Sequence, residues 1–269
     1  MNSIRLKEIW IYPLKSAGGV KVESGKLVET GLELDRKWAL VDEKGGFISQ
    51  RTLPQLALFK PRILPEGVLM EWGKDTPILL PEYAESMDCA TIRIWEDKVV
   101  AGDCGNEVAE WFSGRVGQRV RLMVMTPHSR RHADRKYDAA RSRLSFSDGY
   151  PLLLIGTGSL KDLNDRLSEP VEMSRFRPNL VVECDQPFAE DSWNRVKIGD
   201  IVFDVVKPCS RCVITTVDQE TGRRSDEPLR TLSRYRKRSG KVWFGQNVVH
   251  RSLGIIETGM AVSVLEQKN

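Results

Sequence analysis

The sequence predicts a mainly β (α+β) protein, in which many short strands carry a few short helices. Short runs alternate between apolar and polar residues, as half-buried strands do. Glycine, proline, asparagine and aspartate separate these runs, which is typical of turns. Few segments have the spacing of an amphipathic helix, and strands do not alternate with helices as in βαβ units. This pattern favours a β-barrel or sandwich with helical decorations.

Strand patterns dominate the first part of the chain. They cover residues 4–12, 38–42, 47–50, 91–95, 99–102 and 120–125. The second and third runs flank Glu43-Lys44-Gly45-Gly46, and the fourth and fifth flank Glu96-Asp97-Lys98, so each pair predicts a hairpin. Between the last two runs, an apolar stripe predicts a helix over Asn106–Val116.

A basic stretch with few apolar residues, 127–147, predicts a domain boundary or a mobile flap. We therefore expect a β-rich N-terminal domain at residues 1–125 and a second β-rich domain at residues 126–269. Helices are predicted over 159–167, with Ser159 as the N-cap, and over 228–238, with a proline in the first turn. Strands are predicted at residues 151–155, 180–183, 201–206, 213–217, 242–244 and 261–265.

Composition limits the class of protein. Hydrophobic residues make up 41% and charged residues 29% of the 269 residues, which suits a globular protein with a sizeable core. No apolar run reaches the roughly 18–20 residues that span a bilayer. The N-terminus alternates like a strand and lacks the apolar centre of a signal peptide. We therefore expect a cytoplasmic protein with no membrane partner.

Two basic stretches, residues 128–143 and 223–241, stand out against a formal net charge of only +4. Such stretches attract phosphate, nucleic acid or an acidic partner protein, or they form a solvated surface. Single-stranded nucleic acid is bound by several interleaved aromatic residues. Each stretch holds one aromatic residue, Tyr137 and Tyr235 respectively, so a nucleic-acid partner is disfavoured.

The turn Cys209-Ser210-Arg211-Cys212 is the place where two cysteines lie close in sequence. A C-x-x-C spacing occurs in zinc sites, in thioredoxin-like pairs and in other thiolate sites. Zinc needs about four ligands, but there is no second C-x-x-C, and His128 and His132 lie far upstream. A thioredoxin-like pair begins a helix. Here β-branched residues on both sides predict a strand–turn–strand corner, which disfavours dithiol chemistry.

The remaining alternative is that both thiols are merely packed in the core. Lys207 and Arg211 place positive charge beside them, and this charge favours the thiolate form. A thiolate in a cationic pocket is what a soft metal with an anionic cofactor requires. The residues alone do not choose between Cys209 and Cys212 as a ligand.

Five ordered motifs resemble those of one known family. They are Y-P-L-K-S (12–16), D-R (35–36), K-P-C-S-R-C-x-x-T-T-V-D (207–218), E-P-L-x-T-L (227–232) and F-G-Q-N (244–247). On these motifs the chain resembles the MOSC family over nearly its whole length, especially YcbX-type bacterial proteins and the mitochondrial amidoxime reducing component. The resemblance implies a MOSC-type β-barrel preceded by a β-rich MOSC-N domain.

The resemblance also implies a molybdenum cofactor, a molybdenum–pyranopterin dithiolene, whose metal is held by the second cysteine, here Cys212. A phosphate and a fused polar heterocycle need guanidinium groups, amides and hydroxyls around them. Asp148 is the acidic residue with a candidate catalytic role beside Cys212. The positions that match cofactor contacts of the family are Lys15, Ser16, Arg36, Arg51, Asp148, Arg177, Asn179, Ser210 and Arg211.

The implied activity is the reduction of N-hydroxylated compounds such as amidoximes, with cleavage of the N–O bond by the cofactor. The C-x4-C-x2-C spacing of a plant-type [2Fe–2S] domain does not occur in these 269 residues. We therefore expect electrons to arrive from a separate ferredoxin- or flavoprotein-like donor. A non-catalytic carrier of the molybdenum cofactor and a sulfur-transfer accessory protein remain open alternatives, because the same cysteine turn serves both.

Overall fold

A computed structural model describes residues 4–268 and consists mainly of strands. In chain order the strands are β1 (Arg5–Ile11), β2 (Val20–Val22), β3 (Ser24–Val28), β4 (Gly31–Leu32), β5 (Trp38–Val41), β6 (Phe59–Leu64), β7 (Gly67–Trp72), β8 (Ile78–Leu79), β9 (Cys89–Ile94), β10 (Asp97–Asp103), β11 (Arg121–Met125), β12 (Leu152–Gly156), β13 (Leu180–Glu183), β14 (Trp193–Ile198), β15 (Ile201–Arg211), β16 (Lys237–Arg238), β17 (Lys241–His250), β18 (Gly254–Glu257) and β19 (Val262–Gln267). The α-helices are α1 (Asn106–Val116), α2 (Thr157–Asn164) and α3 (Leu229–Tyr235), and the 3-10 helices are Pro54–Leu58, Met173–Phe176, Ala189–Asp191 and Val213–Thr216. The predicted mainly β class is confirmed.

The largest sheet has nine strands in the order β19-β14-β15-β17-β12-β13-β1-β2, with β16 paired to β17. Neighbouring strands are antiparallel except β12 and β13. The sheet curls so that its two sides meet, because the Val262 amide donates to the Ile4 carbonyl at 2.9 Å and the Leu6 amide donates to the Met260 carbonyl at 2.9 Å. Apolar side chains from both sides fill the space inside, including Phe203.

The first part of the chain forms further sheets around a second core. One sheet has the order β5-β11-β10-β9 and another has the order β6-β7-β8. Trp38, Phe59 and Phe112 pack in the core between them and α1. β1 and β2 belong to the nine-stranded sheet, and β3 pairs with β18. Strands from both halves of the sequence thus share sheets, and the boundary at residues 125/126 stays a prediction.

The three helices follow the predicted positions with different accuracy. α1 has the predicted bounds and ends at Gly117, whose φ of 73° allows its amide to donate to the Ser113 carbonyl at 3.0 Å. α2 begins before the predicted start, and Ser159 as its N-cap is wrong. The Ser159 hydroxyl is buried and donates to the Glu190 carboxylate at 2.7 Å. α3 is shorter than the predicted range 228–238.

Two predicted strands are wrong. Val213–Thr216 form a 3-10 helix, because the Thr215 hydroxyl donates to the Cys212 carbonyl at 3.0 Å and the Thr216 hydroxyl donates to the Val213 carbonyl at 2.8 Å. These local bonds outweigh the β propensity of the branched side chains. Val217 forms an isolated bridge with Arg224. Residues 47–50 do not form a strand either. They reach β5 through one isolated bridge, between Phe47 and Val41.

The basic stretch 127–147 has no helix or strand, apart from an isolated bridge between His132 and Arg143. Arg131, predicted to be part of a basic surface, is 3% exposed. Its guanidinium donates to the carbonyls of Ser145 at 2.7 Å and Ser147 at 2.5 Å. It also donates to Asp97 at 2.9 Å, so a buried cation ties this stretch to the β9–β10 hairpin.

Among residues 4–268, no helix combines the length and the apolar composition needed to cross a membrane.

Candidate functional site

A cavity of about 450 Å³ is lined by residues from both halves of the sequence, and its volume falls within the roughly 300–1,000 Å³ usual for ligand pockets. All the residues that the family motifs single out line it, although they come from distant parts of the chain. They are Lys15, Ser16, Arg36, Arg51, Asp148, Arg177, Asn179, Ser210, Arg211 and Cys212. Their convergence is a geometric finding, and their roles toward a cofactor stay predictions.

Lys15 and Asp148 form an ion pair on one wall. The Lys15 ammonium donates to an Asp148 carboxylate oxygen at 2.5 Å and to the Phe146 carbonyl at 2.8 Å. Burial lowers the pKa of Lys15 to about 8, although the charge of Asp148 opposes this shift. Desolvation within the cavity opposes ionisation of Asp148, but Lys15, the Trp95 indole N–H and Arg51 outweigh it and hold the pKa of that carboxyl well below its usual value.

Two arginines share one aromatic ring on the adjoining wall. The guanidinium carbons of Arg36 and Arg177 lie 4.4 and 4.3 Å from the centre of the Tyr12 ring. Arg36 also donates to Asp35 at 2.5 Å and to the Asn179 side-chain oxygen at 3.0 Å. Burial, followed by the charge of Arg36, lowers the pKa of Arg177 to about 10. Both guanidinium groups are therefore held in place before any anion binds.

The backbone around the cavity is strained. In the described residues, eight non-glycine residues have positive φ, and four of them line this cavity: Ser16 (67°), Arg36 (49°), Trp95 (56°) and Arg177 (55°). Such conformations cost on the order of 1–3 kcal/mol each and collect at functional sites. Pro178 follows Arg177, and the two neighbours of that proline, Arg177 and Asn179, both line the cavity as their spacing predicts.

Strand β15 carries the cysteines to the cavity. Its register against β17 shifts between Val205 and Lys207 and again between Pro208 and Ser210. Such bulges redirect side chains next to active sites. Cys209 lies within the strand and Cys212 directly after it, so the predicted strand–turn–strand corner is replaced by a strand followed by a 3-10 turn.

Each of the two thiols has its own arginine. An Arg51 guanidinium nitrogen lies 3.4 Å from the Cys212 sulfur, and an Arg211 nitrogen lies 2.9 Å from the Cys209 sulfur. Both cysteines line the cavity, so this geometry does not choose between them as ligands. Three extended residues span about 10 Å, whereas the Cα atoms of a disulfide lie about 4.4–6.8 Å apart. The extended backbone therefore opposes a disulfide between Cys209 and Cys212.

Several buried polar atoms of the lining have no hydrogen-bond partner in the described part of the chain. They are the Ser147 and Tyr150 hydroxyls and the Arg211 Nε. Buried polar atoms are nearly always satisfied, so these atoms fit a polar ligand. Among residues 4–268, no three His, Cys, Asp or Glu side chains are grouped to hold a metal ion. A site with one thiolate and a cofactor that supplies the other ligands suits this lining better than four-ligand zinc does.

Sequence reasoning did not assign Trp95 or Asn247 to the site, and both line the cavity. Lys207, which was expected to place charge beside the cysteines, lines it too. The Asn247 side chain donates to the carbonyls of Lys207 at 3.2 Å and Pro208 at 3.3 Å and so supports the bulged strand. Trp95 was predicted as the end of a strand. A large aromatic residue beside a polar hairpin turn was the available signal, but only the fold places it over the cavity.

Comparison with known protein families identifies two domains in this chain. The model of the MOSC N-terminal beta barrel domain matches residues 3–119, and the model of the MOSC domain matches residues 141–263. The chain belongs to the MOSC family. The resemblance drawn from the sequence motifs is thus confirmed.

Relatives of this MOSC protein fall into two groups. Mitochondrial amidoxime-reducing component 1 of Mus musculus is 34% identical over 282 residues, covering 97% of this chain and 82% of the relative. Mitochondrial amidoxime reducing component 2 of Rattus norvegicus is 36% identical over 243 residues, covering 86% and 72%. Molybdenum cofactor sulfurase of Drosophila grimshawi is 31% identical over 251 residues, covering 90% of this chain but 31% of that longer protein.

Proposed function

We propose that this MOSC protein binds a molybdenum–pterin cofactor in the cavity, with Cys212 as the protein ligand of the metal, and reduces N-hydroxylated compounds. The observation that carries the proposal is the meeting of two thiols, six cationic side chains and unpartnered polar atoms in one cavity. One group of relatives is named for amidoxime reduction and the other for the molybdenum cofactor, so the proposal combines this activity with this cofactor.

Different walls of the cavity supply the groups for the phosphate and for the metal. Lys15, Arg36 and Arg177 supply the positive charge that a phosphate needs, and two of them are planar guanidinium groups suited to its oxygens. The Cys212 thiol lies on another wall, with the Arg51 guanidinium 3.4 Å from its sulfur. Asp148 balances the charge of Lys15.

Bound molybdenum supplies the redox chemistry, in which two electrons and two protons convert an N–OH group into N–H and water. The protein holds the cofactor and orients the substrate. Asp148 is ionised at neutral pH because its pKa is held low, so its candidate role is to bind as an anion rather than to donate a proton. The electrons come from a separate ferredoxin- or flavoprotein-like donor.

The assignment of the ligand is tested by molybdenum and pterin analysis of purified protein. We compare the wild type with Cys212→Ser and with the matched control Cys209→Ser, whose thiol also faces an arginine. We expect molybdenum in the wild type and in Cys209→Ser, and a loss of most of it in Cys212→Ser. Equal molybdenum content in all three proteins would exclude Cys212 as the ligand.

A non-catalytic cofactor carrier or sulfur-transfer accessory protein is the second candidate, because sulfurase relatives match 90% of this chain. Turnover separates the two. The reductase converts benzamidoxime to benzamidine when reduced methyl viologen supplies electrons, whereas a carrier loaded with molybdenum leaves the benzamidoxime unchanged.

An electron-donor protein is expected to dock on the exposed part of the basic stretch 128–143. Arg135 and Lys136 are exposed there, unlike Arg131. Charge reversal at both exposed positions should slow turnover driven by an acidic donor protein but not turnover driven by methyl viologen, and should leave the molybdenum content unchanged. The two named amidoxime-reducing relatives are mitochondrial by name, and the cytoplasmic location of this protein stays a prediction.

A further inference from the structure

Arg51 connects the Cys212 thiol to an exposed tryptophan. One nitrogen of its guanidinium lies 3.4 Å from the Cys212 sulfur, and its central carbon lies 4.3 Å from the centre of the Trp95 ring. Within residues 4–268, the guanidinium makes no other hydrogen bond or ion pair. Its position is therefore set by the thiol on one side, the indole on the other and the attraction of the Asp148 charge.

The main chain of Arg51 is anchored separately. The Arg51 carbonyl accepts a hydrogen bond from Arg224 at 2.7 Å, and the Arg51 amide donates to the Ser49 hydroxyl at 3.3 Å. Arg224 also donates to the neighbouring Gln50 carbonyl at 2.9 Å. The side chain thus starts from a fixed point, and the stack on Trp95 decides where its planar end lies.

Trp95 is itself held at the tip of the β9–β10 hairpin. Its indole N–H donates to Asp148 at 3.1 Å, and its ring meets the Phe47 ring at 4.9 Å and 66°, an edge-on contact. Its φ of 56° is the left-handed region that a bulky residue seldom adopts. A strained, hydrogen-bonded tryptophan that remains 38% exposed is costly as a surface residue. Its contact with the Arg51 guanidinium explains why a tryptophan occupies this position.

An N–H donor changes the properties of a thiolate ligand. Hydrogen bonds to a ligating sulfur withdraw electron density from it and raise the reduction potential of the metal that it holds. A charged guanidinium forms a stronger hydrogen bond than a neutral N–H donor does. The same bond fixes the direction of the sulfur lone pairs, so it orients the ligand as well.

We propose that Arg51, stacked on Trp95, is a positioning residue that fixes the Cys212 thiolate and raises the reduction potential of the metal bound to it. This inference rests on the proposed function, because it requires Cys212 to be the ligand. It goes beyond that function by assigning a hairpin of the N-terminal part of the chain to the control of the metal.

The test uses molybdenum-loaded full-length protein and two substitutions at Arg51. Arg51→Met removes every N–H donor, whereas Arg51→Lys keeps the positive charge but loses the planar stack. Trp95→Leu keeps the Arg51 side chain but removes the indole ring on which its guanidinium stacks. Arg115→Met is the matched control, since Arg115 stacks on Trp111 at 3.8 Å far from the cysteines. Each variant is checked for folding by its melting temperature.

The readouts are molybdenum content, the Mo(V) electron paramagnetic resonance spectrum and the midpoint potential. We expect lower midpoint potentials and altered g values in Arg51→Met, Arg51→Lys and Trp95→Leu, with wild-type values in Arg115→Met. If folded Arg51 variants lose molybdenum while Arg115→Met keeps it, the guanidinium is needed to hold the ligand, which also supports the proposal.

Wild-type spectra and potentials in molybdenum-containing Arg51→Met and Trp95→Leu would overturn the inference. That result leaves the proposed function intact, because the wild type still contains molybdenum bound through Cys212. A wild type that contains no molybdenum after expression with excess molybdate, or equal molybdenum in Cys212→Ser, would instead overturn the proposed function and this inference with it.

Discussion

The Lys15 ammonium lies 2.5 Å from an Asp148 carboxylate oxygen, and the side chain of the lysine is 6% exposed whereas that of the aspartate is 63% exposed. A buried cation is therefore neutralised by a carboxylate that faces the cavity. Because the two residues stand 133 positions apart, the pair exists only in the folded chain. Its titration governs the charge that the cavity presents to an anion.

Anion binding should weaken as the pH rises through about 8. Below this value Lys15 is charged, and above it Lys15 loses its proton while Asp148 remains ionised, so the cavity becomes less positive. We expect sulfate affinity to fall, by at most about tenfold per pH unit, between pH 7 and 9.5. Sulfate keeps its own charge over this range, and calorimetric titration measures the affinity. Lys15→Met should bind weakly with little pH dependence, and a flat wild-type profile would contradict this reading.

Asp148→Asn should move this transition to lower pH. The charge of Asp148 is the largest influence that supports the protonated form of Lys15 against burial. Without it, Lys15 should lose its proton below pH 8, and the alkaline loss of sulfate binding should begin earlier. The same titration checks the shift. Asp97→Asn is a useful control, because Asp97 pairs with Arg131 instead of Lys15, and an equal shift in both variants would count against a specific pair.

Arg131→Met should destabilise the protein by about 3 kcal/mol. The substitution leaves the carbonyls of Ser145 and Ser147 without their buried donor, and an unsatisfied buried group costs about 1–3 kcal/mol. Urea denaturation measures the free energy of unfolding. Arg130→Met is the control, since Arg130 is exposed and donates to surface carbonyls, and we expect it to change stability by less than about 0.5 kcal/mol.

Glu190→Gln should stabilise the protein increasingly as the pH rises. Burial raises the pKa of Glu190 from its ordinary 4.5, so the folded state holds this proton more tightly than the unfolded chain. The stability that this group contributes is present below pH 4.5 and is lost as the pH rises through the raised pKa. Glutamine stays neutral and avoids that loss.

Melting temperatures at pH 5 and pH 8 check the Glu190 prediction. The gap between Glu190→Gln and the wild type should widen toward pH 8. Glu183→Gln serves as the control, because Glu183 is exposed and makes a long 3.7 Å ion pair with Lys7. If the difference in melting temperature between Glu190→Gln and the wild type is the same at pH 5 and pH 8, Glu190 titrates normally and the prediction is wrong.

The sequence by itself determined the mainly β class, the position of α1 and the family. These depend on local patterns: alternation for strands, an apolar stripe for Asn106–Val116, and ordered motifs around the cysteine turn. Local pattern failed at residues 213–217, where two threonine hydroxyls bond back to carbonyls three residues earlier. β-branched residues favour strands only where the backbone groups are left free to pair.

Only the tertiary structure decided which side chains meet. Arg51 and Cys212 are 161 residues apart, and no local signal assigns that arginine to that thiol. Trp95 contacts the Arg51 guanidinium, which its own sequence position does not indicate. Arg131, predicted to lie on a basic surface, is buried and donates to the Ser145 carbonyl. Such contacts follow from which strands pair and how the sheet curls. Sequence patterns report the burial and periodicity of one segment at a time, whereas a site of this kind is assembled across several.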